Sequence, residues 1–245
     1  MQRVMFFNFN PMGLGGLWQN LSYILSNQKE ELEINLHLDK WNTDRFFQIY
    51  NCFQKPKYDV NIVINDELTY NDNPQQSWNI TVNQIRNHIV DTTKYKLYEI
   101  QTLNCTLWHD YYPVKFKRKD GNHICLYLQY ENENNNLERD PLYEDSRNLT
   151  NDQSDYIKSL LKTYDIIELG PHMTIEENCK LIAESKFCIG REGGWTHVAH
   201  SCSTDYYPVM NNEHQFLRWC HGGHNKYLKP FTHVDDFDKL CKEVL

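Results

Sequence analysis

Between Glu184 and His200 the chain reads Glu-Ser-Lys-Phe-Cys-Ile-Gly-Arg-Glu-Gly-Gly-Trp-Thr-His-Val-Ala-His, and the residues in its middle can hold an anion. Gly193 and Gly194 give a turn without side chains, so a ligand can approach the backbone closely. The free N–H groups and positive dipole end of a helix starting near Trp195 make a seat for a phosphate. Glu192 follows the apolar run Phe187 to Gly190, which places a carboxylate at the carboxyl end of a strand. Open α/β sheets bind their ligands at that edge. The same string also fits a plain strand-to-helix connection.

A second glycine-rich stretch, Asn10-Pro-Met-Gly-Leu-Gly-Gly16, follows the apolar strand Val4 to Phe9 and opens into helical pattern from Leu17 to Leu25. Its glycines, Gly13, Gly15 and Gly16, form an anion-compatible turn or simply turn the chain. Arg139 and Arg147 lie in the polar run from Gln129 to Asn151, above the end of another strand. They read either as solvated surface or as a clamp on phosphate oxygens.

The elements that must position these residues alternate. Short strands at Ile34–Leu38 and Val60–Ile64, with a helix from Asn42 to Phe53, complete a first set. Strand, helix, strand, helix, strand at these spacings argues for a parallel sheet. The stretch from Glu67 to Leu107 gives no clear pattern apart from a helix over Val82–Ile89. A new series begins at Ile124–Leu128. It continues with a helix over Asp152–Thr163, a strand at Ile166–Leu169, and a helix from Thr174 capped by Glu177. After the focal strand and helix come a strand at Tyr206–Met210 and a closing helix over Asp235–Val244. The expectation is an α/β protein of two Rossmann-like parallel-sheet domains facing a cleft, residues 1–118 and 119–245. Such a cleft suits a nucleotide-diphosphate ligand.

Composition narrows the classes. The 245 residues carry a net charge of −8, which argues against a broad nucleic-acid-binding face. No apolar run reaches the ~18 residues of a membrane span, and Met1 leads into Val4–Phe7 with no signal-peptide cleavage site. The eight cysteines lack CxxC spacing and read as reduced thiols of a cytoplasmic protein. The sequons at Asn20, Asn79, Asn104 and Asn148 are then incidental, and the richness in Asn, Lys, Ile and Tyr hints at an AT-rich coding genome. His197 with His200, and Cys220-His221-Gly-Gly-His224, raise a metal site, but the inferred fold needs none and no metal is assigned.

The strings Leu169-Gly-Pro-His-Met-Thr-Ile-Glu-Glu, Leu181-Ile-Ala-Glu-Ser-Lys-Phe-Cys-Ile-Gly and Glu192-Gly-Gly-Trp-Thr-His-Val-Ala-His together resemble the C-terminal half of the heptosyltransferase-like glycosyltransferases. Pro11-Met-Gly-Leu-Gly-Gly16 looks like that family's glycine loop after the first strand. The resemblance implies a GT-B fold, with a nucleotide-diphosphate sugar as donor substrate, held mainly by the second domain, and metal-independent transfer. No permanently bound cofactor is implied. It also implies that this short chain has a trimmed acceptor domain. Glu192 stands where the family has Asp, while Gly194, Thr196 and His197 match its Gly, Ser and His. Thr196 and the N–H groups beside it would touch the diphosphate, and Glu192 would accept from donor hydroxyls. With Gly193 and Trp195 these residues make up the candidate donor-binding set.

One departure matters. The family's first loop carries an Asp, offered as catalytic base, where this chain has Gly16. Asp39, at the end of the second strand, and Asp110, beside His109, are the candidate replacements. The acceptor stays open: a glycan, a lipid-linked saccharide, a protein side chain, or a hydroxymethylated base in DNA as in viral genome-modifying glycosyltransferases. The last would need Lys115, Lys117, Arg118 and Lys119 to line a groove for phosphates. Rival readings are a non-catalytic nucleotide- or glycan-binding module of the same fold and, with less support, a dinucleotide-using Rossmann enzyme.

Overall fold

The computed structural model describes residues 1–7, 14–38, 40–64, 96–97, 111–128, 149–211 and 226–245. The chain divides into two compact units, Met1–Lys115 and Phe116–Leu245.

The first unit holds a four-stranded sheet in the order β3-β2-β1-β4, all neighbours parallel. Its strands are β1 (Gln2–Phe7), β2 (Leu32–His37), β3 (Val60–Ile64) and β4 (Lys96–Leu97). Helix α1 (Leu14–Ser26) joins β1 to β2, and α2 (Lys40–Tyr50) joins β2 to β3. β2 is flanked on both sides and buries nearly every residue, whereas β3, with β2 as its partner, is half exposed. β2 nonetheless alternates apolar and polar residues, so Asn35 and His37 are buried along with Ile34 and Leu36. Trp18 of α1 and Phe46 of α2 are fully buried, and Phe6 meets Phe46 edge-on at 5.4 Å.

α1 begins at Leu14, three residues earlier than the sequence pattern indicates, so Gly15 and Gly16 lie in its first turn and not in a loop. Two glycines there lower helix propensity. The amide of Asn20 donates to the carbonyl of Gly16 at 2.8 Å and braces that turn. Asn20 is buried inside α1, so its sequon cannot carry a glycan.

The second unit holds five parallel strands in the order β6-β5-β7-β8-β9. They are β5 (Ile124–Tyr127), β6 (Ile166–Glu168), β7 (Phe187–Gly190), β8 (Tyr206–Met210) and β9 (Thr232–His233). Between them run α3 (Asn151–Leu161), α4 (Ile175–Glu184) and α5 (Gly194–Ser201), and α6 (Phe237–Val244) closes the chain. The apolar core gathers Leu126 and Ile189 from the central strands, Ile157 and Leu161 from α3, and Phe237 from α6.

Both long helices start on reciprocal caps. The hydroxyl of Thr174 accepts from Glu177 N–H while the Glu177 carboxylate takes the Thr174 N–H, as the sequence indicates. Thr150 and Gln153 make the same exchange at α3. Asn178 is buried and ties the loop before α4 together, accepting from Gly170 N–H and donating to the carbonyls of Gly170 and Thr174.

Arg118 is largely withdrawn from solvent, and Lys119, though exposed, is held in an ion pair. The Arg118 guanidinium donates to the carbonyls of Ala183, Ser185 and Lys186, and Lys119 pairs with Glu184 at 2.5 Å. These carbonyls include those left unbonded as α4 ends. A fork of guanidinium donors satisfies them.

Candidate functional site

β5 lies between β6, the next strand in sequence, and β7, the one after that. The chain therefore reverses direction across the sheet between β5 and β7. At such a switch point the connections leave to opposite faces and open a crevice at the carboxyl edge. The turn from Arg191 to Gly194 leaves β7 at this place.

Its backbone is fixed from both sides. Gly190 pairs with Tyr127 so closely that a Cβ there would stand 2.2 Å from the Tyr127 carbonyl oxygen and 2.9 Å from the Tyr206 hydroxyl. Arg191 N–H donates to the same Tyr127 carbonyl at 2.9 Å. The Tyr206 hydroxyl, rising from β8, donates to the Arg191 carbonyl at 2.7 Å. Burial, and then the neighbouring Cys188, Tyr127 and Glu192, push the Tyr206 phenol well above its ordinary range, so it stays a proton donor.

Arg191 and Glu192 are 4% and 3% exposed, an unusual depth for two consecutive charges. The Arg191 guanidinium carbon sits 5.8 Å from the Tyr127 ring centre, and Glu192 N–H points to the sulfur of Met210 at 3.5 Å. Buried charges persist where partners or ligands compensate their lost hydration.

Gly193 follows in extended conformation and starts α5 without a side-chain hydrogen bond at the cap. A Cβ on Gly193 would meet the Tyr127 ring at 3.7 Å, an ordinary contact. Thr196 turns inward: its N–H and its hydroxyl both donate to the Gly193 carbonyl, at 3.1 and 2.7 Å. In this geometry the hydroxyl would have to rotate to meet a phosphate oxygen. Trp195 meets Tyr127 edge-on at 6.2 Å, and His197 and His200 are buried on the same helix, His200 against the Tyr227 ring at 5.6 Å.

Glu192, Gly193, Gly194, Trp195, Thr196 and His197 thus stand together at the switch point. Gly15 and Gly16 belong to the first unit, at the start of the helix that follows β1. Gly13, Asp39, His109, Asp110, Arg139 and Arg147 lie outside the described residues, as do Cys220, His221 and His224. Among the described residues no three His, Cys, Asp or Glu side chains converge as metal ligands.

The sequence pattern does not reveal Tyr206, Met210 or the contact between Gln153 and Asn211 at 2.8 Å. Tyr206 reads there as one more apolar strand residue. Its hydroxyl function depends on β8 lying beside β7, which no local signal carries.

No protein-family model matches the chain, and no curated protein matches it either. Solved structures do match. Among them are glycosyltransferases. Heptosyltransferase WaaC of E. coli with ADP is similar over 100% of both chains at a TM-score of 0.45 and 10% identity. WaaC with ADP-2-deoxy-2-fluoro heptose gives 0.42 and 10% over 99% of both. The iron-containing dodecameric glycosyltransferase TibC of enterotoxigenic E. coli H10407 gives 0.46 and 11%, over 85% of this chain. The match spans 57% of TibC's own length.

Proposed function

We propose that the chain is a metal-independent glycosyltransferase that takes its sugar from a nucleotide-diphosphate donor, acting in the cytoplasm. One observation carries the reading. The buried pair Arg191–Glu192 and the side-chain-free start of α5 stand together at the switch point between β5 and β7. A diphosphate there meets the N–H groups of the helix start, and Glu192 accepts from sugar hydroxyls. The acceptor oxygen attacks the anomeric carbon as the bond to the diphosphate breaks. The leaving nucleoside diphosphate keeps the electron pair, and charge growing on it is stabilised by the helix N-terminus. The acceptor proton passes to a base, for which Asp39 and Asp110 are the candidates.

The second reading is a binding module without transfer. The position of Gly16 favours it: that residue offers no carboxylate, and its carbonyl is occupied by Asn20.

Thermal stability measured with a panel of nucleoside diphosphates and nucleotide sugars tests both. A ligand at about 100 times its dissociation constant adds roughly 2.7 kcal/mol to the folded state. A shift selective for one nucleotide sugar, lost in a folded Gly194→Val variant, is expected. Binding without release of nucleoside diphosphate across an acceptor panel favours the module. No shift with any nucleotide overturns the transfer reading and leaves only a glycan-binding module.

A further inference from the structure

Among the described residues of the first unit, three large apolar side chains stand in solvent: Met1, Trp41 and Ile64. Met1 begins the chain, and its ammonium pairs with Glu30 at 2.5 Å. The other two share one edge. Ile64 ends β3 beside Leu36 of β2, and Trp41 is the second residue of α2, the helix that follows β2. Both therefore sit at the carboxyl edge, where open α/β sheets receive ligands.

Trp41 is also held. Arg45, one turn further along α2, lays its guanidinium carbon 3.5 Å from the centre of the indole ring. Residues four apart on a helix share a face, and a planar cation stacks well on indole. The result is an aromatic ring pinned in one orientation yet still 40% open to solvent. With the guanidinium over one face of the indole, the opposite face suits the C–H face of a pyranose ring.

A nucleobase can also stack on indole, but its strand needs cations that track phosphates. The chain carries a net charge of −8, and Arg118 and Lys119 are engaged at the end of α4. These observations favour an uncharged, hydroxyl-rich partner. We propose that Trp41 and Arg45 form a stacking platform for a pyranose ring of a glycan acceptor. The proposal rests on the glycosyl-transfer reading above and names its acceptor class.

The test uses the full chain labelled with nitrogen-15. A Trp41→Phe variant identifies the Trp41 indole N–H signal among those of the six tryptophans. Maltopentaose, cellopentaose, mannopentaose and chitopentaose are titrated in turn, and a DNA duplex separately. At least one oligosaccharide is expected to move the Trp41 signal. Trp41→Ala is expected to weaken that binding about tenfold or more, corresponding to about 1.4 kcal/mol. The same variant is expected to leave the thermal shift with nucleotide sugar unchanged. Movement with the duplex alone overturns the proposal in favour of a nucleic-acid acceptor. No movement with any probe, while nucleotide sugar still stabilises the protein, overturns the platform and leaves the transfer reading standing. Loss of the nucleotide shift in wild type removes both.

Discussion

Tyr206 and Arg191 are joined by one hydrogen bond, phenol to carbonyl at 2.7 Å, which ties β8 to the turn leaving β7. Tyr206→Phe leaves that buried carbonyl without its donor, at an expected cost of about 1–3 kcal/mol. Urea unfolding should show a lower midpoint with an unchanged slope. An unaltered midpoint would mean that the bond does not hold the turn.

Gly190 and Gly193 make opposite demands on space. Gly190→Ala drives a Cβ to 2.2 Å from a backbone oxygen that cannot yield without parting β5 from β7. A loss of about 1–3 kcal/mol or more is expected in thermal unfolding. Gly193→Ala adds its methyl at 3.7 Å from a ring, in extended backbone, so stability should stay within about 0.5 kcal/mol. If a nucleotide sugar stabilises wild type but not Gly193→Ala, the ligand approaches the backbone at this turn. Equal shifts in both would place the diphosphate elsewhere.

Arg118→Ala should cost about 2–3 kcal/mol, because several carbonyls at the end of α4 lose a charged donor together. Arg118→Lys should recover only part, since an ammonium cannot fork across them. Chemical denaturation of the three proteins decides the matter. A residue that merely lined a phosphate groove would leave stability alone and change the salt dependence of DNA binding.

Acid should weaken the fold through its cap and ion-pair carboxylates. Hydrogen bonds from the Thr174 backbone and hydroxyl hold Glu177 below its ordinary range, Lys119 does the same for Glu184, and Lys242 for Asp238. A carboxyl whose folded pKa is depressed adds stability above its unfolded pKa and loses it as pH falls through the folded one. Stability should therefore decline as pH drops below about 4. Glu177→Gln keeps an acceptor for the Thr174 N–H but cannot titrate. Its urea midpoint should fall less between neutral and acid pH than that of wild type, and an identical fall would exclude Glu177 as a contributor.

The strands that could be read from the sequence are those written as short, mainly apolar runs, buried throughout in Phe187–Gly190 and half exposed in Val60–Ile64. Val60–Ile64, Phe187–Gly190 and Tyr206–Met210 keep the bounds their apolar runs indicate. The Thr174–Glu177 cap was legible because its partners are three residues apart. The equivalent cap at Thr150 and Gln153 was hidden by the polar run before it, whose composition reads as loop. Arg118 was illegible for a different reason: its carbonyl partners lie some 65 residues away, so charge alone suggested solvent or phosphate. The Arg191–Glu192 turn announced itself through its glycines, but the hydroxyl that fixes it comes from a strand met later in the chain.

The strand order of the second unit also sets a schedule. β6 joins one side of β5 and β7 the other, after which β8 and β9 each add to the edge left by the strand before. Synthesis at about 5–20 residues per second delivers these strands in the order in which the sheet can accept them. None has to be inserted between two already paired. Within this unit β9 and α6 emerge after the other strands and helices, and α6 brings Phe237 into the core with Ile157 and Val209. A nascent chain still short of Phe237 therefore presents a growing sheet with an open apolar patch, and that is the stage at which a chaperone would find it.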